Sequence, residues 1–101
     1  MTEDDRLLVG VARGDLSGVT GALAQGANPN AARRYQQSWD REVVEGAEPV
    51  LVLAAKGGSV ELIRLLLDAG ADVNGRDGLA DADAFTAAIS AGHAATARLL
   101  L

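Results

Sequence analysis

A pattern of glycines and apolar residues occurs three times in this chain of 101 residues, and no other property narrows the choice of fold as far. In two copies the glycines lie twelve positions apart, from Gly14 to Gly26 and from Gly58 to Gly70, and each pair is followed by Ala-Asn/Asp-x-Asn. The third copy, residues 88–101, repeats only the first half. A unit of this size cannot bury its apolar face alone, so the pattern predicts units that stack on one another.

Each copy is predicted to form two antiparallel helices joined by a tight turn. In the middle copy, Pro49 fits the first turn of the leading helix, where its missing N–H costs nothing. Gly58 can take a positive φ at the turn, and Ser59 follows as a strong N-cap. The second helix shows helical periodicity and ends at Gly70, the expected left-handed residue. Aromatic residues make up only 3% of the chain, which argues against a β-sandwich or barrel.

The middle copy also carries Leu-Leu-Leu-x-x-Gly-Ala-Asp-Val-Asn at residues 65–74. With this motif the chain resembles the ankyrin-repeat family. The resemblance covers residues 4–30 and 46–101, although Pro-Val-Leu-Val (residues 49–52) and Asp-Ala-Phe-Thr (residues 83–86) replace the family's Thr-Pro-Leu-His. It implies an all-α fold, an ankyrin-repeat solenoid of three stacked helix pairs with one elongated finger loop.

The resemblance also predicts how a single domain of residues 1–101 is divided. We expect repeat one at residues 4–30, an inserted finger at 31–48, repeat two at 49–78 and a truncated repeat three at 79–101. The second and third turn glycines are 34 positions apart, close to the family period of about 33. The first and second are 44 apart, so about eleven additional residues lie in the first finger, together with Tyr35 and Trp39.

Two conformations fit the insert. A helix would run from an N-cap at Asn30 to Gly46, with Tyr35, Trp39 and Val43 on one side. Its arginines would then lie at the positive end of the helix dipole and its glutamates at the negative end, which is unfavourable. An extended hairpin with a turn at residues 38–41 also places Tyr35, Trp39 and Val43 on one face, at period two. The charges favour the hairpin.

A search for catalytic and metal-binding patterns finds structural explanations instead. The only histidine, His93, occupies the slot after the turn glycine, so capping or bridging the turn accounts for it. Ser90 precedes it, but no motif supplies a triad acid or an oxyanion site. Asp77, Asp81 and Asp83 lack the order of a calcium loop, and we expect Asp83 to cap the next helix. We therefore predict no catalytic residue, no cofactor and no metal.

The charge pattern narrows the class of partner. The net charge is −5, so the whole-chain basic excess expected of a nucleic-acid binder is missing. The first five residues are acidic where a signal peptide would be basic and then apolar. The longest apolar run, residues 50–55, is far too short to span a membrane. These features predict a soluble, cytoplasmic chain that binds neither nucleic acid nor membrane.

The resemblance implies a non-catalytic module that binds another protein through its fingers and the concave face of its leading helices. Trp, Tyr and Arg dominate binding hot spots, and the insert contains all three. If it is a recognition finger, Tyr35 and Trp39 are exposed on it and contribute little to the fold. The predicted partner-binding residues are Arg13, Arg33, Arg34, Tyr35, Trp39, Arg41, Glu45, Glu48, Lys56, Asp81 and Ser90. Three alternatives remain: an insert that is only a solvated loop with Trp39 folded back, a protein that self-associates through an uncapped C-terminal helix, and a small enzyme or ligand-binding domain centred on Ser90 and His93.

Overall fold

The computed structural model describes residues 2–79 and 82–101, apart from the side chain of Trp39. Within these residues the chain forms three helix pairs and one hairpin. The helices are α1 (Glu3–Arg13), α2 (Leu16–Ala24), α3 (Val50–Gly57), α4 (Val60–Asp68), α5 (Ala84–Ser90) and α6 (Ala94–Leu100). The strands are β1 (Ala32–Trp39) and β2 (Glu42–Pro49), which pair in antiparallel fashion between the first and second helix pairs.

The prediction of an all-α fold is therefore wrong. The insert is a regular two-stranded sheet, paired without interruption from Ala32↔Pro49 to Trp39↔Glu42. The low aromatic content does not exclude a single hairpin. A hairpin needs no large set of β-branched and aromatic residues when folded repeats hold its base. Its ladder pairs the backbone groups that face the partner strand, whatever the apolar content of its side chains.

The turns between paired helices follow from local chemistry. Gly14, Gly58 and Gly92 all have positive φ, between 70° and 80°. After the first two, Asp15 and Ser59 act as N-caps and accept backbone hydrogen bonds from Gly18 and Leu62, which confirms the prediction for Ser59.

Two further predictions concern the starts of α5 and α3. Asp83 caps α5 by accepting from the Thr86 amide at 2.8 Å, and this bond holds the pKa of Asp83 below its ordinary value. Pro49 lies one position earlier than predicted, at the N-cap of α3, because it also ends β2 in an extended conformation with ψ of 144°.

The helix pairs stack in two layers. The leading helices α1, α3 and α5 pack side by side, and α2, α4 and α6 pack behind them. Large apolar side chains from both layers are fully buried between them, including Leu7, Val19, Val50, Val52, Ile63 and Leu66. None of the described helices combines the length and the apolar composition needed to cross a bilayer.

Hydrogen bonds between loops connect neighbouring pairs. The Asn30 side chain accepts from the Asp72 amide at 2.6 Å and donates to the Gly70 carbonyl at 3.3 Å. His93 provides a similar link, since its Nε2 lies 3.0 Å from the Lys56 carbonyl oxygen and its ring packs over Gly58. His93 makes no side-chain cap bond, so it bridges two helix pairs instead of capping α6.

Candidate functional site

The hairpin of residues 32–49 is the feature that distinguishes this chain from a plain stack of helix pairs. Eight residues per strand extend roughly 27 Å at the usual rise of a β-strand. At its base, the Val50 amide donates to Ala31 at 2.8 Å and the Gly78 amide donates to Ala47 at 3.4 Å. Among the described residues, the hydrogen bonds of residues 36–45 stay within the hairpin, so its distal half projects from the repeats.

The tip of the hairpin is a two-residue turn at Asp40 and Arg41. Both residues have positive φ, 48° and 69°, in a position that usually carries Asn-Gly or Asp-Gly. A left-handed conformation is tolerated by Asp but is unfavourable for Arg. The tip therefore keeps an exposed cation where glycine would be the more stable choice.

The register of this turn corrects the predicted hairpin face. Each cross-strand pair joins an odd-numbered residue to an even-numbered one, as in Tyr35↔Gly46 and Ser38↔Val43. Odd-numbered residues of β1 thus share a face with even-numbered residues of β2. Val43 lies on the opposite face from Tyr35 and is 61% exposed, so the expectation that they share a face is wrong.

Tyr35 is a packed residue at the base of the hairpin. Its ring covers Gly46, where an added Cβ would lie 2.5 Å from the ring carbon that bears the hydroxyl. The hydroxyl donates to Asp77, a buried carboxylate that also accepts from the Leu79 amide at 3.0 Å. The bond to Asp77, desolvation and the nearby negative charge raise the pKa of Tyr35 to about 12. The expectation that Tyr35 is exposed is therefore wrong. The side chain is half-buried and fixes the hairpin against the second finger, the loop after α4 that holds Asp77 and Gly78.

Glu48 is the most buried ionic residue at this base. Only 1% of it is exposed, and it lies between two cations whose side chains are each half exposed. Lys56 on α3 donates to Oε2, and the Arg33 guanidinium lies 3.6 Å from Oε1. Glu48 thus connects the hairpin to the leading helix and is out of reach of a partner in this state. Glu48 was predicted to be a partner-binding residue. Its position next to Pro49 and opposite Arg33 was the sequence signal for a paired carboxylate at the base of the hairpin.

Arg33 connects this ion pair with the Tyr35 ring and with an open groove. Its guanidinium carbon lies 5.5 Å from the centre of the Tyr35 ring. It also borders a groove of about 510 Å³ that is otherwise lined by α1, through Asp5, Leu8, Val9 and Ala12. None of the predicted site residues on α1 lines this groove. The signal was the spacing of its helical residues, since positions 5, 8, 9 and 12 form a second stripe on α1, beside the buried Leu7 and Val11.

The other predicted site residues are dispersed. Arg34, Arg41 and Glu45 are exposed along the hairpin. Lys56 and Ser90 occupy equivalent exposed positions on α3 and α5, two residues before their turn glycines. Arg13 lies apart from them, beside Asp15 and Gly18 in a groove between α1 and α2. Asp81 and the side chain of Trp39 lie outside the described residues.

The alternative centre at Ser90 and His93 is not assembled. Among the described residues no hydrogen bond joins the two, and His93 Nε2 is directed at the Lys56 carbonyl. The imidazole therefore has a structural partner, and the convergence of side chains that a nucleophile–base pair requires is missing from this part of the chain.

Comparison with known sequences gives one match. A family model described as "Ankyrin repeats (many copies)" matches residues 51–101. No curated protein sequence matches the chain significantly. The matched segment begins after Pro49, so α1, α2 and the whole hairpin lie outside it.

Proposed function

Since the chain belongs to the ankyrin-repeat family, whose members are in general non-catalytic modules for protein–protein interaction, we propose that it binds another protein through the distal hairpin and the exposed side of its leading helices. The observation that carries this proposal is that most described side chains of residues 36–45 are exposed and that their hydrogen bonds stay within the hairpin. An isolated two-stranded hairpin is only marginally stable in water. Here the base is held by two backbone bonds, the Tyr35–Asp77 bond and the buried carboxylate of Glu48.

Such an arm is suited to recognition because its base is ordered before binding. Pre-organisation reduces the entropy that a flexible loop would lose on association. The exposed side chains of Arg34, Arg41, Val43 and Glu45 then offer charge and apolar area on a fixed frame. In this proposal Tyr35, Glu48 and Arg33 position the arm, whereas Lys56 and Ser90 extend the contact surface onto α3 and α5.

A paired comparison tests the proposal. The hairpin variant Arg41→Gly/Val43→Thr removes an exposed cation and an exposed apolar side chain while keeping residues suited to the turn and the strand. The control variant Arg64→Ser/Leu16→Thr makes a similar change on α4 and α2, where both residues are exposed. Affinity capture from native lysate is then quantified for wild type and both variants, with thermal melts as a check of folding.

We expect the wild type and the control to retain the same proteins. The amount of these proteins retained by the hairpin variant should be lower by about tenfold or more, the scale of a hot-spot loss. Equal retention by a folded hairpin variant would remove the hairpin from the binding surface. Loss on the control variant alone would move the surface to the second layer of helices.

A further inference from the structure

The outer edge of β1 carries backbone groups that face away from β2. The bond from the Val50 amide to the Ala31 carbonyl sets the phase of the ladder, because residues in an antiparallel strand alternate between facing the partner and facing away. The N–H and C=O groups of the odd-numbered residues of β1 therefore point toward β2. Those of Arg34, Gln36 and Ser38 point away from it. Among the described residues, no backbone hydrogen bond joins this edge to another segment.

This edge carries arginines but has neither a bulge nor a proline, two of the features that block strand addition. Its register with β2 is continuous over all eight residues, without a bulge, and it contains no proline. Natural sheets commonly use short strands, prolines or bulges to prevent strand addition. The opposite edge, on β2, is partly covered, since the Ala47 carbonyl accepts from Gly78 of the second finger. The β1 edge is thus the more open template.

The charges along β1 indicate what an added strand should carry. Arg33 is matched across the hairpin by Glu48 at 3.6 Å. Arg34 lies opposite Ala47, is exposed, and has no ion pair within 4 Å in the described part of the chain. β1 contains no acidic residue. An Asp or Glu beside Arg34 on a third strand would form a favourable cross-strand pair.

The base of this edge continues into the groove on α1. Arg33 borders that groove, whose helical lining includes Leu8, Val9 and Ala12. Val9 is 36% exposed although it is apolar, so the groove offers area that an apolar side chain would cover. Arg33 adjoins Arg34 in β1, so this groove lies near the base of the edge.

We propose that the outer edge of β1 adds an extended acidic segment of the partner protein as a third strand. Its backbone pairs with residues 34–38, a carboxylate lies beside Arg34, and an apolar side chain enters the groove on α1. This inference rests on the proposed function and names the chemistry of its partner. Main-chain pairing supplies affinity in strand addition, and the side-chain positions supply specificity.

A display library of random peptides of about twelve residues, selected on the full chain, provides the probe. Selected peptides should be rich in Asp or Glu and carry an apolar residue nearby. Gln36→Pro removes an outward N–H but no bond of the hairpin ladder, and should weaken these peptides about tenfold. Gln36→Thr keeps that N–H and loses the same side chain, so its affinity should stay within about twofold. Arg34→Gln should weaken acidic peptides about tenfold.

Several results would overturn the inference. These are selected peptides without acidic residues, binding that is unchanged in a folded Gln36→Pro variant, and a library that yields no binder below about 100 µM. A dimer of the wild type that is lost in Gln36→Pro would assign the edge to a second copy instead. If natural partners are lost on Arg41→Gly/Val43→Thr but retained on Gln36→Pro, the proposed function stands and strand addition is rejected.

Discussion

The middle helix pair and the hairpin that precedes it are stabilised by different kinds of interaction. In α3 and α4, Val50, Leu51, Ile63 and Leu66 are almost fully buried, and removal of apolar area from water stabilises the pair. In the hairpin, the only side chain buried to this degree among those described is Glu48, and the base is held by polar contacts. The comparison separates a scaffold, in which apolar volume matters, from an arm, in which individual hydrogen bonds matter.

The largest effect is expected from breaking the scaffold. Leu66 has no exposed surface, so Leu66→Ala leaves a cavity and should lower the free energy of unfolding by roughly 2–5 kcal/mol in urea denaturation. The control Val43→Ala, on the exposed part of the hairpin, should change it by less than about 0.5 kcal/mol. If Leu66→Ala and Val43→Ala lowered the free energy of unfolding by similar amounts, the distinction between scaffold and arm would be wrong.

A smaller effect should follow from breaking the polar base. Lys56→Met keeps most of the side-chain volume but leaves the buried Glu48 carboxylate without its hydrogen bond, which should cost roughly 1–3 kcal/mol. Adding Glu48→Gln removes the buried charge and should recover part of that loss. Urea denaturation of both single variants and the double variant measures the coupling, and strictly additive effects would show that the two residues do not act as a pair.

Tyr35→Phe tests the contact between the hairpin and the second finger. Loss of the bond to Asp77 should lower the melting temperature by about 3 °C. Because the folded-state pKa is raised to about 12 from an ordinary value near 10, the contribution of Tyr35 is complete below pH 10 and disappears as the pH rises toward 12. The difference in stability between wild type and Tyr35→Phe should therefore vanish over this interval.

Absorbance offers a direct check, since the chain has a single tyrosine. Tyrosinate should form with a midpoint of about 12 in the folded protein and near 10 in urea. A folded-state midpoint near 10 would contradict the bond to Asp77.

The smallest effect sharpens the comparison at the tip. Arg41→Gly relieves a left-handed conformation and should stabilise the protein by roughly 0.5–1 kcal/mol in thermal melts. Glu42→Gly, placed in the strand beside it, should destabilise instead. Stabilisation at position 41 combined with weaker partner binding would indicate that the arginine serves recognition at the expense of stability.

The sequence by itself determined the helix pairs, their turns and most of their caps. These features depend on residues a few positions apart: Gly58 supplies a positive φ, and the Ser59 and Asp83 side chains accept from amides three residues later. The motif at residues 65–74 is also local, and it was enough to indicate the family. Short-range steric and hydrogen-bonding rules are readable from the order of residues because the chain itself keeps the partners close.

Only the tertiary structure decided how the hairpin meets the repeats. Tyr35 and Asp77 are 42 positions apart, and their contact depends on the angle at which the hairpin leaves the helices. Glu48 is buried beside Lys56 of α3 and beside Arg33, which precedes it by fifteen positions, so its surroundings depend on how the hairpin meets α3. Contacts across such distances follow from the relative placement of whole elements, and many placements share one local pattern.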